Sequence, residues 1–208
     1  MNPTLLPNLL NILLSVVFLS ISFRAFLLYV QLRSPRLFIL WLSMALIACT
    51  AAADFVSGIV TTISLRTDWF LFLGQAVSFL FIFLSLLRGS EKFLRRLALW
   101  QVISTALLLL LLLLAPILPD FPNTATQVLL SGSRSVICFL IFSFYVSAFL
   151  SKETRFSLLM SGAYLLLSIG YFLILPKYFL THQEFYDQLG DGIRILGLIV
   201  ILIAYVRG

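Results

Sequence analysis

Charge is scarce in this chain: Asp, Glu, Lys and Arg make up 11% of its 208 residues, while 62% are hydrophobic. Soluble domains carry about 25% charged and about 45–50% apolar residues. A water-soluble fold of this size exposes too much of its surface to hide so much apolar side chain, which excludes a soluble globular protein. Histidine occurs once, as His182. Haem ligation by paired histidines within a membrane, a three-His zinc site and a Ser–His catalytic pair are therefore excluded. Cysteine occurs twice, as Cys49 and Cys138, with no C-x-x-C spacing for redox exchange. Thiols in apolar surroundings stay protonated and inert. There is no Gly-rich phosphate loop, and no linker rich in Gly, Ser or Pro. The last apolar segment contains no Lys, so it cannot form a retinal Schiff base. The expectation is a protein that is not an enzyme, with no catalytic residue, no metal site and no cofactor.

What the chain has instead is long apolar runs. A span needs about 20 predominantly apolar residues at 1.5 Å rise each. That ruler finds segments at 5–30, 37–63, 69–87, 97–118, 124–150, 156–175 and 188–206. The expected fold is an all-α integral membrane protein, a single domain over 1–208 built as a bundle of seven transmembrane helices in a lipid bilayer. The first segment reads as a retained span, because residues 1–11 contain no Lys or Arg and no small-residue cleavage site follows.

The few charges are unevenly placed. Arg33 and Arg36 separate spans one and two, Arg88, Lys92, Arg95 and Arg96 separate three and four, Lys152 and Arg155 separate five and six, and Arg207 ends the chain. The other loops hold only Arg66 and Lys177, against Asp68, Asp120, Glu184 and Asp187. Lys and Arg mark the cytoplasmic side, so the N-terminus is expected outside and the C-terminus in the cytoplasm. The expected location is a cell membrane, with a bacterial inner or plasma membrane favoured. The net charge of +6 follows from this topology. Its dispersal among short loops argues against nucleic-acid binding, which needs cations gathered on one soluble face.

The unbroken Leu run 107–114 gives span four no polar face, so this span is expected at the periphery, towards lipid. Trp41, Trp69 and Trp100 lie near span ends, as interfacial anchors do. Small residues gather in spans two, five and seven, where they permit close helix packing. Spans one to three and five to seven share an orientation, but beyond a few positions, such as Asp68 with Asp187, their residues match no better than composition alone provides. The pattern is not counted as a repeat.

An ionisable group inside a span costs at least about 2.5–3.5 kcal/mol at the helix centre, so it faces the bundle interior and has a partner. Asp54 lies about 14 Å from the outer end of span two, and Arg134 about 15 Å from the outer end of span five, which pairs them by depth. Asp191 and Arg194 are three residues apart on one face of span seven. Gln75 falls near the depth of Arg194, and Tyr171 adds a phenol on the same side, with Pro176 expected to kink the helix beyond it. Asp54, Gln75, Arg134, Tyr171, Asp191 and Arg194 thus form a candidate ligand-binding or buried ion-pair network. Arg24 lies near the inner end of span one, as a cytoplasmic-side anchor that snorkels to the interface, with Gln101 as its neighbour.

Two carboxylates and two guanidinium groups suit either a structural network or a pocket for a small zwitterionic or anionic molecule. After Arg194 the last span is almost wholly aliphatic, which weighs against a continuous permeation path. The topology resembles that of the membrane sensor modules that precede bacterial histidine kinases and cyclases, and of rhodopsin-like and G-protein-coupled receptors. That resemblance implies a sensor or receptor-like module that signals to a cytoplasmic output protein or domain. A small secondary transporter or transporter subunit is the alternative. An accessory subunit docked to other membrane subunits is a third reading.

Overall fold

The computed structural model describes residues 5–59, 66–87, 89–118, 124–179 and 183–207. Among these residues there are seven α-helices and no strand: α1 Leu5–Leu32, α2 Pro35–Ile59, α3 Asp68–Leu86, α4 Glu91–Leu113, α5 Thr124–Lys152, α6 Arg155–Leu173 and α7 Gln183–Arg207. All seven are long and apolar enough to cross a membrane. His182, Arg88, Asp120 and the expected end of span two at residue 63 lie outside the described residues.

The helices start and stop for local reasons that hydropathy does not register. α4 begins at Glu91, well before residue 97, because Ser90 caps it: the Ser90 Oγ accepts from the Phe93 N–H at 3.3 Å. Glu91 then sits in the first turn, where a carboxylate suits the helix dipole. Span four was expected to reach 118, but α4 gives way to turns after Leu113, just before Pro116. α7 likewise starts at Gln183, earlier than 188, and takes Glu184 into its first turn. Pro176 does not kink a continuing helix. α6 stops at Leu173 and Pro176 opens a 3-10 turn, Leu175–Tyr178, since its ring removes the N–H that another α-turn needs. The α1–α2 and α5–α6 junctions share one device: Arg33 (φ 52°) and Glu153 (φ 49°) enter the left-handed region and close the preceding helix. Their N–H groups donate to the carbonyls of Tyr29 and Phe149, each at 2.7 Å.

The chain divides into two compact units. One spans residues 14–122 and holds most of α1 with α2, α3 and α4. Here α1 is tied to α2 by serines, Ser15 Oγ donating to the Ala48 carbonyl at 3.3 Å and Ser22 Oγ to the Trp41 carbonyl at 3.1 Å. α2, α3 and α4 meet in two apolar layers, Ile39, Phe81, Leu94 and Leu97 in one and Leu46, Phe70 and Leu108 in the other. Near the first layer, Gln101 is buried and its amide donates to the Ile39 carbonyl at 3.0 Å and to Ser43 Oγ at 2.6 Å. α4 otherwise buries only Leu94, Leu97 and Leu108, and most of its Leu run is exposed.

The other unit comprises residues 1–13 and 123–208, with α5, α6 and α7. α6 packs along both α5 and α7. Ser135 and Ser168 bond reciprocally across α5 and α6, each Oγ donating to the other's carbonyl, at 2.9 and 3.0 Å. α6 and α7 approach closely at Gly170 and Gly190. A Cβ on Gly170 would lie 2.9 Å from the Gly190 carbonyl oxygen, so only glycine fits there. Close approach of this kind is what holds helices together in lipid, where apolar surface alone gives no driving force.

Candidate functional site

Four of the polar residues singled out from the sequence converge in the α5–α7 unit. Arg134 of α5 and Arg194 of α7 both lie over the ring of Tyr171 of α6, their Cζ atoms 4.8 and 5.0 Å from its centroid. Tyr171 is fully buried, and Arg134 is 5% exposed. Arg134 Nη2 donates to Ser131 Oγ, one turn earlier on its own helix, at 3.1 Å. Arg194 forms an ion pair with Asp191, also buried. Because α7 starts at Gln183, Asp191 and Arg194 lie about 12 and about 16 Å into the helix, deeper than a start at 188 would put them.

The local sequence explains this convergence. Tyr171 follows Gly170, and the missing side chain at Gly170 is the space that the Arg194 stem fills: a Cβ there would lie 2.5 Å from Arg194 Cγ. The guanidinium thereby passes α6 and reaches the phenol. The Ser135–Ser168 clamp lies at the residue next to Arg134 on α5 and within a turn of Tyr171 on α6, which fixes those helices at the level of the site. Cation over ring is favourable, and more so without water. Two like charges held at one ring repel, however, and Asp191 pairs with one of them, Arg194. Arg194 Nε is buried and makes no hydrogen bond among the described residues.

Towards the chain's next turn the site continues in groups that sequence reasoning did not include. Lys177, in the 3-10 turn, pairs with both carboxylate oxygens of Asp187 at 2.9 and 3.1 Å. Its Nζ also lies 5.2 Å from the centre of the Tyr178 ring. Hydropathy assigned Lys177 and Asp187 to a loop. The available signal was Pro176, which forces a tight turn and brings residue 177 back towards α7.

Asp54 and Gln75 belong to the α1–α4 unit. Asp54 is half-buried, and its Oδ1 accepts from Thr67 Oγ1 at 3.4 Å. Ser57 Oγ donates to the Asp54 carbonyl at 2.8 Å and lies 3.0 Å from Thr67 Oγ1, so this group joins the end of α2 to the start of α3. Gln75 is buried on α3. Arg24 is exposed on α1, and the Gln101 amide donates to Ile39 and Ser43 of α2. Cys49 and Cys138 are both free thiols. Among the described residues, no group of three or more His, Cys, Asp or Glu is placed to hold a metal ion.

Compared with protein-family models, curated proteins and solved structures, the chain matches none.

Proposed function

We propose that this protein is a non-catalytic membrane sensor or receptor-like module that takes a small zwitterionic or anionic molecule at the Arg134–Tyr171–Arg194–Asp191 cluster. One observation carries the proposal: two guanidinium groups lie against a single buried phenol ring, with the Asp191 carboxylate paired to Arg194 beside it. A network built only for stability does not benefit from the repulsion between two cations at one ring. A site for a carboxylate does, because guanidinium forks bind carboxylates bidentately and a dry site strengthens the contact. The Arg194 Nε–H is a donor available to such a ligand. Asp191 beside it would accept from an ammonium group, which accommodates a zwitterion.

The loop charges support an orientation with the C-terminus in the cytoplasm, which puts this cluster in the outer half of the membrane. On α7 the buried residues after Arg194 are Gly197, Leu198, Ile201 and Ala204. That aliphatic stretch favours a receptor, which signals through helix positions to a cytoplasmic partner, over a transporter, which needs polar groups further in.

The test is a thermal-shift panel of small carboxylates and amino acids on the purified full chain, compared with Arg134→Lys and Arg194→Lys. Both variants keep the charge and lose the planar fork. A true ligand at 100-fold its Kd stabilises by about 2.7 kcal/mol, which for a chain of this size raises Tm by about 5–10 °C. Both variants are expected to lose that rise while keeping their own unfolding transition. An unchanged rise in both variants, or no stabilising compound across the panel, refutes the site.

A further inference from the structure

We infer that one end of the α1–α4 unit is a docking surface for acidic phospholipid headgroups. The inference rests on these helices crossing a bilayer, and it is independent of the ligand cluster on Tyr171. The early start of α4 lies behind it. The residues added before 97 carry Lys92, Arg95 and Arg96, all exposed, while Leu94 and Leu97 turn inward to pack on Ile39 and Phe81. That packing brings the start of α4 beside the start of α2 and the end of α3. Arg36 Nη2 reaches the Leu87 carbonyl at 3.5 Å, and Arg33 stands three residues before it in the tight turn, both exposed. The described cations Arg33, Arg36, Lys92, Arg95 and Arg96 therefore share one end of the unit, with Glu91 as the only acid among them. The Glu91–Arg95 pair, at 3.9 Å, is almost fully exposed and holds Arg95 only weakly.

Beneath the cations lies an aromatic layer. Phe26, Tyr29, Phe38 and Trp41 form a chain of ring contacts with centroids 5.0–5.5 Å apart. On α4, Trp100 lies one turn after Arg96 and is 63% exposed, and Leu99 lies one turn after Arg95 and is 61% exposed. Arg95 and Arg96 thus each stand one turn from an apolar side chain that faces outward. Phosphate at the level of the cations and acyl chain at the level of Trp100 and Leu99 match this order, as interfacial aromatic and basic residues do. Basic side chains grouped at a membrane end attract anionic lipid over zwitterionic lipid.

The experiment uses the full chain with Trp41→Phe and Trp69→Phe, leaving Trp100 as the sole tryptophan reporter, in vesicles with brominated phosphatidylglycerol or brominated phosphatidylcholine. Quenching of Trp100 should show about a tenfold preference for the glycerol lipid at low salt. The preference should fall towards one in about 1 M NaCl, where the Debye length is about 3 Å. Lys92→Gln, Arg95→Gln and Arg96→Gln together should remove most of it, whereas Lys152→Gln with Arg155→Gln should not. A preference absent in the parent, insensitive to salt, abolished by millimolar inorganic phosphate or untouched by the triple substitution overturns the inference. The first of these is also the result expected if the basic end instead binds an acidic protein segment. The salt titration on the parent decides the matter if the triple variant does not fold. Quenching by neither lipid means that the helices are not in the bilayer at all.

Discussion

Substituting Gly170 by Ala adds one methyl group to α6, and the structure fixes where it must go. The new Cβ meets Arg194 Cγ at 2.5 Å, the Gly190 carbonyl oxygen at 2.9 Å and the Arg194 backbone nitrogen at 3.2 Å. The Arg194 stem can swing aside, but the two backbone atoms cannot. Relief therefore requires α6 and α7 to part by about 0.5 Å, and a gap of that size already forfeits about a quarter of the contact energy along the seam. Overpacking of this kind costs about 1–3 kcal/mol. Gly162→Ala is the control, on the same helix, because its Cβ would meet nothing within 4 Å. Both substitutions share the gain of about 1 kcal/mol from replacing a helical glycine, so that contribution cancels in the comparison. Gly170→Ala should thus be less stable than Gly162→Ala by about 1–3 kcal/mol, or about 3–10 °C in Tm for a chain of this length. Thermal unfolding of the detergent-solubilised chain, followed by loss of the monodisperse species, measures the difference. If Gly170→Ala is as stable as Gly162→Ala, the close approach of α6 and α7 is wrong, and so is the route by which Arg194 reaches Tyr171.

Asp191→Asn leaves the Arg194 charge buried beside a neutral amide and should cost about 3–5 kcal/mol in an SDS-titration unfolding assay, whereas Asp191→Leu with Arg194→Met should cost less than the single change. A double variant as damaged as the sum of its singles would show that the pair is not the interaction being lost. Gln101→Ala removes both donors that hold α4 to Ile39 and Ser43 and should cost about 1–3 kcal/mol by the same assay. A loss under about 0.5 kcal/mol would mean that the apolar layers alone hold α4 in place.

Seven helices long and apolar enough for a membrane were legible because hydropathy averages over a whole span, and each run here exceeds what a buried soluble helix requires. Their ends were less legible, since caps are decided by single residues. Ser90 adds charged residues to α4 that hydropathy discards, and Pro176 ends α6 where the run of apolar residues continues through Ile174 and Leu175. The convergence of Arg134, Tyr171, Asp191 and Arg194 was readable from depth, because axial position along a helix is linear in residue number. Rotation about each helix axis and the pairing of helices were not readable. Asp54 and Gln75, placed by depth at the level of the cluster, belong to the α1–α4 unit, where Asp54 bonds with Thr67. Gln101 was read beside Arg24 from depth as well, and its amide donates to α2. The Lys177–Asp187 pair was missed because it depends on the direction of one turn.

Packing and site chemistry meet at the same few small residues in the α5–α7 unit. Helices in lipid associate where small side chains let backbones touch, and Gly170, Gly190, Ser135 and Ser168 are those places between α5, α6 and α7. The gap that glycine leaves at 170 is also the passage for the Arg194 stem, and the serine clamp sets the level at which Tyr171 faces Arg134. A change at Gly170 therefore alters stability and site geometry together, so loss of ligand stabilisation in that variant cannot be assigned to ligand chemistry. Arg194→Lys touches neither the glycine contact nor the clamp, and it keeps the charge that Asp191 pairs with. The two substitutions thus separate the helix spacing from the guanidinium fork. Ligand stabilisation lost in Arg194→Lys, with its unfolding transition retained, places the requirement on the fork itself.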